Sequence, residues 1–253
     1  MARDMEKYLR KKPTQFCAGC GHGILLGAIL RAIDELGIDI DDMLFVSGIG
    51  CGGWISSPNF NGDTLHTPHG RAIAFATGAK MFNPKLKVMV ISGDGDLLDI
   101  GGNHLIHAVW RNTDLTVICA NNMLYGQTGG QFCMTTPKDM FTQTTTRGNP
   151  HAPFPICEVL AAAGARYVAR YAVTQPFQLI HSIKKALQTP GFTFIEAVST
   201  CPVQFGRRNQ LDSPSAMLKF LKERCISRDK ARNLTAEELQ GKIITGEFTD
   251  GGN

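Results

Sequence analysis

Asp94 and Asn122 set the chemistry that this sequence can support. Asp94 lies in Gly93-Asp94-Gly95-Asp96, directly after the apolar run Val88-Met89-Val90-Ile91, which has the character of a buried strand. Asn122 closes Asn121-Asn122 at the end of a second apolar run, Leu115 to Ala120. One side chain offers an anionic oxygen and the other a neutral one. With a backbone carbonyl, water and phosphate oxygens, such a pair suits a hard cation such as magnesium. Gly93 and Gly95 leave room for the backbone to approach a phosphate. Taken alone, Gly-Asp-Gly also fits a simple turn.

The elements that must position these residues follow from the pattern around them. Leu97, Leu98, Ile100, Leu105, Ile106 and Val109 fall roughly at helical intervals between the two strands. In a parallel α/β sheet the loops after the strand C-termini carry the ligands, so Asp94 and Asn122 are expected on one rim. Upstream, a helix with Leu25, Ile29 and Ile33 on its apolar face stops at Gly37, and a strand covers 43–46. Residues 55–68 read as loop and 70–81 as helix. Downstream, 123–153 shows no period, and a loop of that length in a compact domain usually has a function. Helices are expected over 155–163, 176–187 and 214–226, strands over 166–169 and 192–198, and a frayed end at Asp250-Gly251-Gly252-Asn253. This alternation implies an α/β fold with a doubly wound, mostly parallel sheet over residues 1–210, and a C-terminal helical arm and tail over 211–253.

The cysteines add a second chemistry. Cys17 and Cys20 form a C-x₂-C pair, and Cys51 and Cys201 each follow a strand end. Thiols from three separate loops suit zinc or an iron–sulfur cluster. A C-x₂-C pair alone also fits a redox pair or half a zinc site. Glycines 19, 21, 50, 52 and 53 let the backbone wrap closely around such a group. Cys119 and Cys157 sit in apolar runs and are expected in the core, while Cys133 and Cys225 have no evident role.

Composition narrows the setting. The chain has 253 residues, 43% hydrophobic and 19% charged, as in ordinary globular proteins. Its net charge of +4 is not clustered, which argues against nucleic acid. No stretch approaches the roughly 20 apolar residues of a membrane span. Met1 to Lys12 has no apolar signal core, so a reducing, cytoplasmic location is expected for the eight cysteines.

Seven motifs together resemble one family. They are Cys17-Ala-Gly-Cys20-Gly-His22, Gly48-Ile-Gly-Cys51, His66-Thr-Pro-His69-Gly-Arg71-Ala, Gly93-Asp-Gly-Asp96, Asn121-Asn-Met-Leu-Tyr-Gly126, Thr128-Gly-Gly-Gln131 and Cys201-Pro-Val-Gln-Phe-Gly-Arg-Arg-Asn209. In this order, over residues 14–210, they resemble the β subunit of a 2-oxoacid:ferredoxin oxidoreductase. The last motif is most similar to the 2-oxoglutarate type. The resemblance implies a thiamine diphosphate-binding fold, with magnesium held by the side chains of Asp94 and Asn122 and the carbonyl of Leu124. It implies a 4Fe–4S cluster on Cys17, Cys20, Cys51 and Cys201. Ile49, Gly50, Cys51 and His69 would line the cofactor, and Gly95, Asp96 and Gly126 would meet its diphosphate end.

The implied reaction is oxidative decarboxylation of a 2-oxoacid, with coenzyme A taking the acyl group and ferredoxin the electrons. The glutamate that activates thiamine has no place in this chain. A separate α subunit is therefore expected, in an (αβ)₂ or larger assembly. Arg207 and Arg208 are candidate partners for the distal carboxylate of 2-oxoglutarate, or else face solvent or a subunit. The sequence departs from relatives at Gly52-Gly53-Trp54, where Trp54 is expected to wall the substrate pocket and would suit a branched or aromatic acid. Pyruvate- or branched-chain-specific enzymes, a non-redox thiamine decarboxylase subunit, a zinc-stabilised binding module and a simple electron carrier are the alternatives.

Overall fold

In the computed structural model, which describes residues 5–211 and 213–249, the helices and the central strands can be traced to their sequence patterns. Helix α1 (His22–Leu36) buries Leu25, Ile29 and Ile33 and ends at Gly37, whose φ of +63° is the left-handed turn that stops helices. Strands β1 (Met43–Ser47), β3 (Lys87–Gly93), β4 (Thr116–Asn121) and β6 (Thr193–Val198) are buried along nearly their whole length. Such near-continuous burial marks a parallel sheet covered on both faces. With β2 (Asp63–His66) and β5 (Tyr167–Ala172) they form the parallel order β2-β1-β3-β4-β6-β5.

Side-chain alternation divides the core into two layers. Met89 and Ile91 of β3 pack with α1 and α5 (Pro176–Gln188). Val88 and Val90 pack on the other face with α2 (Ala72–Phe82), α3 (Gly102–Trp110) and α4 (Ile156–Ala162). The doubly wound expectation holds.

Three local expectations change. β2 lies within the stretch expected to be loop; it is a half-exposed edge strand, so no apolar alternation reveals it. The helix after Asp94 begins as a wide, π-type stretch over Gly95–Ile100 and changes to α3 at Gly101, whose N–H bonds Asp96 O at 2.9 Å. The C-terminal arm is not only helical. After α6 (Pro214–Arg224) come β7 (Cys225–Ser227), α7 (Arg228–Ala231) and β8 (Ile243–Glu247). β8 runs antiparallel to β5 and carries β7 beyond it, giving an eight-stranded sheet. The tail expected to fray, 250–253, lies outside the described residues.

Register brings the loops level. Gly93 pairs with Ala120, and Asn121 with Val198, so the chain leaves β3, β4 and β6 at one rim. The long segment between β4 and α4 forms no helix or named strand and crosses this rim.

Candidate active site

At that rim a cavity of about 280 Å³ is lined by every residue expected at thiamine diphosphate or magnesium. Ile49, Gly50 and Cys51 come from the loop after β1, and His69 from the turn before α2. Asp94, Gly95 and Asp96 come from the loop after β3, and Asn122, Leu124 and Gly126 from the loop after β4. At Gly50 a φ of +122° requires glycine, and at Gly95 a Cβ would meet the Tyr125 ring at 2.5 Å. Tyr125, rather than a phosphate alone, therefore explains Gly95.

Asp94 is 1% exposed, and burial pushes its carboxyl up to about 6. The Asn122 carboxamide approaches Asp94 Oδ1 at 3.0 Å and Leu124 O at 2.7 Å. With its nitrogen turned inward, the orientation these contacts favour, it donates to both. With its oxygen turned inward, three oxygens face one another. Their spacing is close to the edge of an octahedron with metal–oxygen bonds of about 2.0–2.1 Å. The residues present therefore fit magnesium.

The Asp96 side chain is fully engaged within the protein. Its buried Oδ1 accepts from the N–H groups of Ile49 at 3.1 Å and Gly70 at 2.7 Å, and lies 2.5 Å from His69 Nδ1. Its Oδ2 accepts from Ser92 Oγ at 2.8 Å. The carboxylate ties three rim loops together. It leaves the main chain of Asp96, not the side chain, to meet a diphosphate.

A second cavity, about 220 Å³, is lined by Cys17, Cys20, Cys51 and Cys201 together. Cys51, Asn122 and Gly126 belong to both cavities. All four thiols are free of disulfides. Burial first, and charge on neighbouring thiols after it, push Cys20 up to about 12 and Cys51 up to about 11. Among the described residues no three His, Cys, Asp or Glu side chains converge to hold a single ion. The thiols ring a space instead.

Trp54 lines this thiol cavity and not the one beside Asp94, so the expected wall of the substrate pocket is a wall of the cysteine site. Arg208 donates to Gln204 O at 3.1 Å and Gln204 Oε1 at 2.8 Å, and Arg207 is exposed. Neither arginine lines either cavity. Cys119 and Cys157 are fully buried in the core, as expected.

Comparison with known proteins gives the family of this chain. The thiamine pyrophosphate enzyme family, C-terminal TPP binding domain, matches residues 49–197. The chain is 52% identical over 247 residues to 2-oxoglutarate synthase subunit KorB of Methanothermobacter marburgensis, covering 96% of this chain and 86% of that protein. This chain belongs to the β subunits of the 2-oxoacid:ferredoxin oxidoreductases. The KorB subunit of Methanocaldococcus jannaschii is 50% identical over 246 residues, 96% of the β subunit and 91% of its own length. A solved 2-oxoglutarate:ferredoxin oxidoreductase from Magnetococcus marinus, with 2-oxoglutarate, coenzyme A and succinyl-CoA bound, matches at TM-score 0.86 and 31% identity. That match covers 100% of the β subunit and 86% of the other chain.

The β subunit also holds site residues that its sequence did not point to. Asp94 Oδ2 accepts from Thr135 Oγ1 at 2.5 Å and from Cys133 Sγ at 3.2 Å. Asn121 Nδ2 donates to the buried Glu196 at 2.6 Å, while Asn121 Oδ1 accepts from Met123 N–H at 2.9 Å. Glu196 in turn accepts from Arg170 Nε at 2.6 Å. This chain of bonds supports Met123 at a φ of +68°, which turns the backbone toward Leu124. Contacts spanning 39 to 75 residues carry no local sequence signal.

Proposed function

We propose that this β subunit binds magnesium thiamine diphosphate and one 4Fe–4S cluster. Joined to a separate α subunit in the cytoplasm, it converts 2-oxoglutarate, coenzyme A and oxidised ferredoxin to succinyl-CoA, carbon dioxide and reduced ferredoxin. The observation that carries this reading is Cys51, a wall residue of both cavities. Two cavities that share a thiol offer electrons a short way from the decarboxylation site to an iron–sulfur cluster.

Asp94, Asn122 and the Leu124 carbonyl would hold the cation, which would supply positive charge for the diphosphate. Ile49, Gly50, Cys51 and His69 line the cofactor, with Gly95, Gly126 and the main chain of Asp96 toward the diphosphate. When bound, thiamine diphosphate supplies the electron sink for decarboxylation. Asp96 keeps the three loops around it in register, through the bonds to Ile49, Gly70 and Ser92.

Cys17, Cys20, Cys51 and Cys201 bind the cluster as thiolates. Burial raises the proton affinity of Cys20, Cys51 and Cys201, so loading a cluster onto them as thiolates would release protons. A ring of thiols around a cavity supports a polynuclear cluster over zinc, which draws four donors into one tight tetrahedron. The activating glutamate and the partner of the distal substrate carboxylate come from the α subunit.

The test is the purified αβ complex, assayed for thiamine diphosphate, iron and sulfide and for ferredoxin reduction by 2-oxoglutarate. Four irons per β subunit, and turnover that vanishes when β is alone, are expected. Zinc in place of iron, carbon dioxide release without ferredoxin reduction, or turnover by β alone would each overturn the reading.

A further inference from the structure

The turn 133–136 touches both arms of the proposed cation site. Cys133, Thr135 and Thr136 are at most 5% exposed. Thr135 Oγ1 and Cys133 Sγ both reach Asp94 Oδ2, at 2.5 and 3.2 Å. Thr136 Oγ1 donates to Met123 O at 2.7 Å and accepts from Cys133 N–H at 3.1 Å. Thr136 N–H bonds Cys133 O at 3.0 Å, and Asn149 Nδ2 donates to Thr136 O at 2.7 Å, so the turn is itself held from behind. One turn thus grips the carboxylate after β3 and the backbone after β4.

We infer that this turn is the positioning element that sets the cation preference of the site. Thr135 and Cys133 occupy Asp94 Oδ2 and leave Oδ1 alone to face Asn122 and Leu124 O, so Asp94 gives one oxygen to the metal. The inference rests on the magnesium reading above. A carboxylate limited to one oxygen suits magnesium, which needs near-octahedral geometry with compact ligands. Calcium takes more oxygens and accepts both from one carboxylate. Freeing Oδ2 lets Asp94 turn and offer both, which favours the larger ion. Thr136, through Met123 O, keeps the Leu124 carbonyl at its place in the same site.

The experiment is a calorimetric titration of the metal-free αβ complex with Mg²⁺ and, separately, Ca²⁺, each with thiamine diphosphate present. Thr135→Val removes one donor at nearly constant volume, and Cys133→Ala removes the other. Each is expected to weaken Mg²⁺ by roughly tenfold, the lower end for loss of a ligand's supporting partner. Ca²⁺ binding should hold or tighten, so the Mg²⁺/Ca²⁺ ratio moves. Thr135→Ser, which keeps the hydroxyl, should restore the wild-type ratio. Cys133→Ala carries the test where the valine variant fails to assemble. An unchanged ratio in the assembled variants would overturn the inference, including the case where both ions weaken alike. Asp94→Ala separates the two levels. If it still binds Mg²⁺ like wild type, the magnesium reading falls; if it loses Mg²⁺ while the turn variants keep the wild-type ratio, only the positioning role falls.

Discussion

Phe141 and Asn209, 68 residues apart, exchange two hydrogen bonds. Phe141 N–H donates to Asn209 Oδ1 at 2.8 Å, and Asn209 Nδ2 donates to Phe141 O at 3.0 Å. Asn209 Nδ2 also donates to Phe205 O at 2.9 Å, and Phe205 is fully buried. The segment that carries Cys201 is therefore latched to the long loop whose first residues carry the proposed cation ligands. Each such bond contributes on the order of 1 kcal/mol net. Asn209→Ala should cost roughly 1–3 kcal/mol in denaturant unfolding, expose the chain near Phe141 to limited proteolysis, and lower iron retention. Wild-type cleavage and iron content in that variant would show that the latch is not needed.

Asp94→Ala should abolish thiamine diphosphate retention in the αβ complex, and Asn122→Ala should weaken it less, because Asn122 contributes a neutral ligand. The metal-free protein should not suffer. Asp94 is a buried carboxylate whose proton affinity is raised by desolvation, so its charge opposes folding until a cation binds. Calorimetric melting of the metal-free variant at neutral pH should match or exceed wild type, while added Mg²⁺ and cofactor should no longer raise it. A variant still stabilised by cofactor to the wild-type extent would refute the role of Asp94.

The stretch from Val88 to Asn122 was legible because strand, loop, helix and strand each carry a local period, and the rim followed from parallel connection. Cys17, Cys20, Cys51 and Cys201, singled out by their motifs, line one cavity. What stayed hidden depends on distance along the chain. The grip of Cys133 and Thr135 on Asp94 spans a loop without periodicity. β7 and β8 are short and mostly half-buried, so neither alternation nor an apolar run marks them. Asp96 lies at the rim, yet its carboxylate serves the loops, since four neighbouring groups converge on it, and the long-range contacts among these leave no local sequence signal. Trp54, in the turn Gly53–Ile55, lines the thiol cavity, a placement that no local sequence period indicates.

Changing Cys17, Cys20, Cys51 or Cys201 to serine should each lower iron and acid-labile sulfide, whereas Cys119→Ser, in the core, should not. Cys51→Ser should differ from the other three. Because Cys51 also lines the cavity beside Asp94, it should lower thiamine diphosphate affinity as well as iron. Full iron in all four variants would mean that other thiols bind the cluster.

Glu35 joins α1 to α5 and gives a pH test away from the site. It accepts from Lys184 Nζ at 2.9 Å and from Arg31 Nε at 2.9 Å. Lys184 first, and Arg31 next, pull its carboxyl from 4.5 down to about 2. A carboxylate lowered on folding adds stability that is present above its unfolded pKa and is lost as pH falls through the folded one. The melting-temperature gap between wild type and Glu35→Gln should be constant near pH 7 and shrink from about pH 4.5 toward pH 2. A gap independent of pH would show that charge is not its origin.

Substrate choice is the sharpest test of where specificity sits. A distal carboxylate in a partly dry pocket needs a cationic, preferably forked partner. Arg208 spends its bonds on Gln204, and among the described residues no arginine lines either cavity. On the proposed reading the partner is the α subunit's, and Arg208→Ala should change kcat/KM for 2-oxoglutarate and pyruvate by the same factor. Trp54 faces the thiols, which removes the reason to expect a branched or aromatic acid, so Trp54→Ala should also leave the substrate ratio unchanged. In the assembled complex 2-oxoglutarate should exceed pyruvate and 2-oxoisovalerate by at least tenfold, about 1.4 kcal/mol in transition-state binding. Preference for pyruvate or the branched acid would overturn the substrate and leave the chemistry standing. A shift in the ratio on Arg208→Ala alone would return specificity to the β subunit.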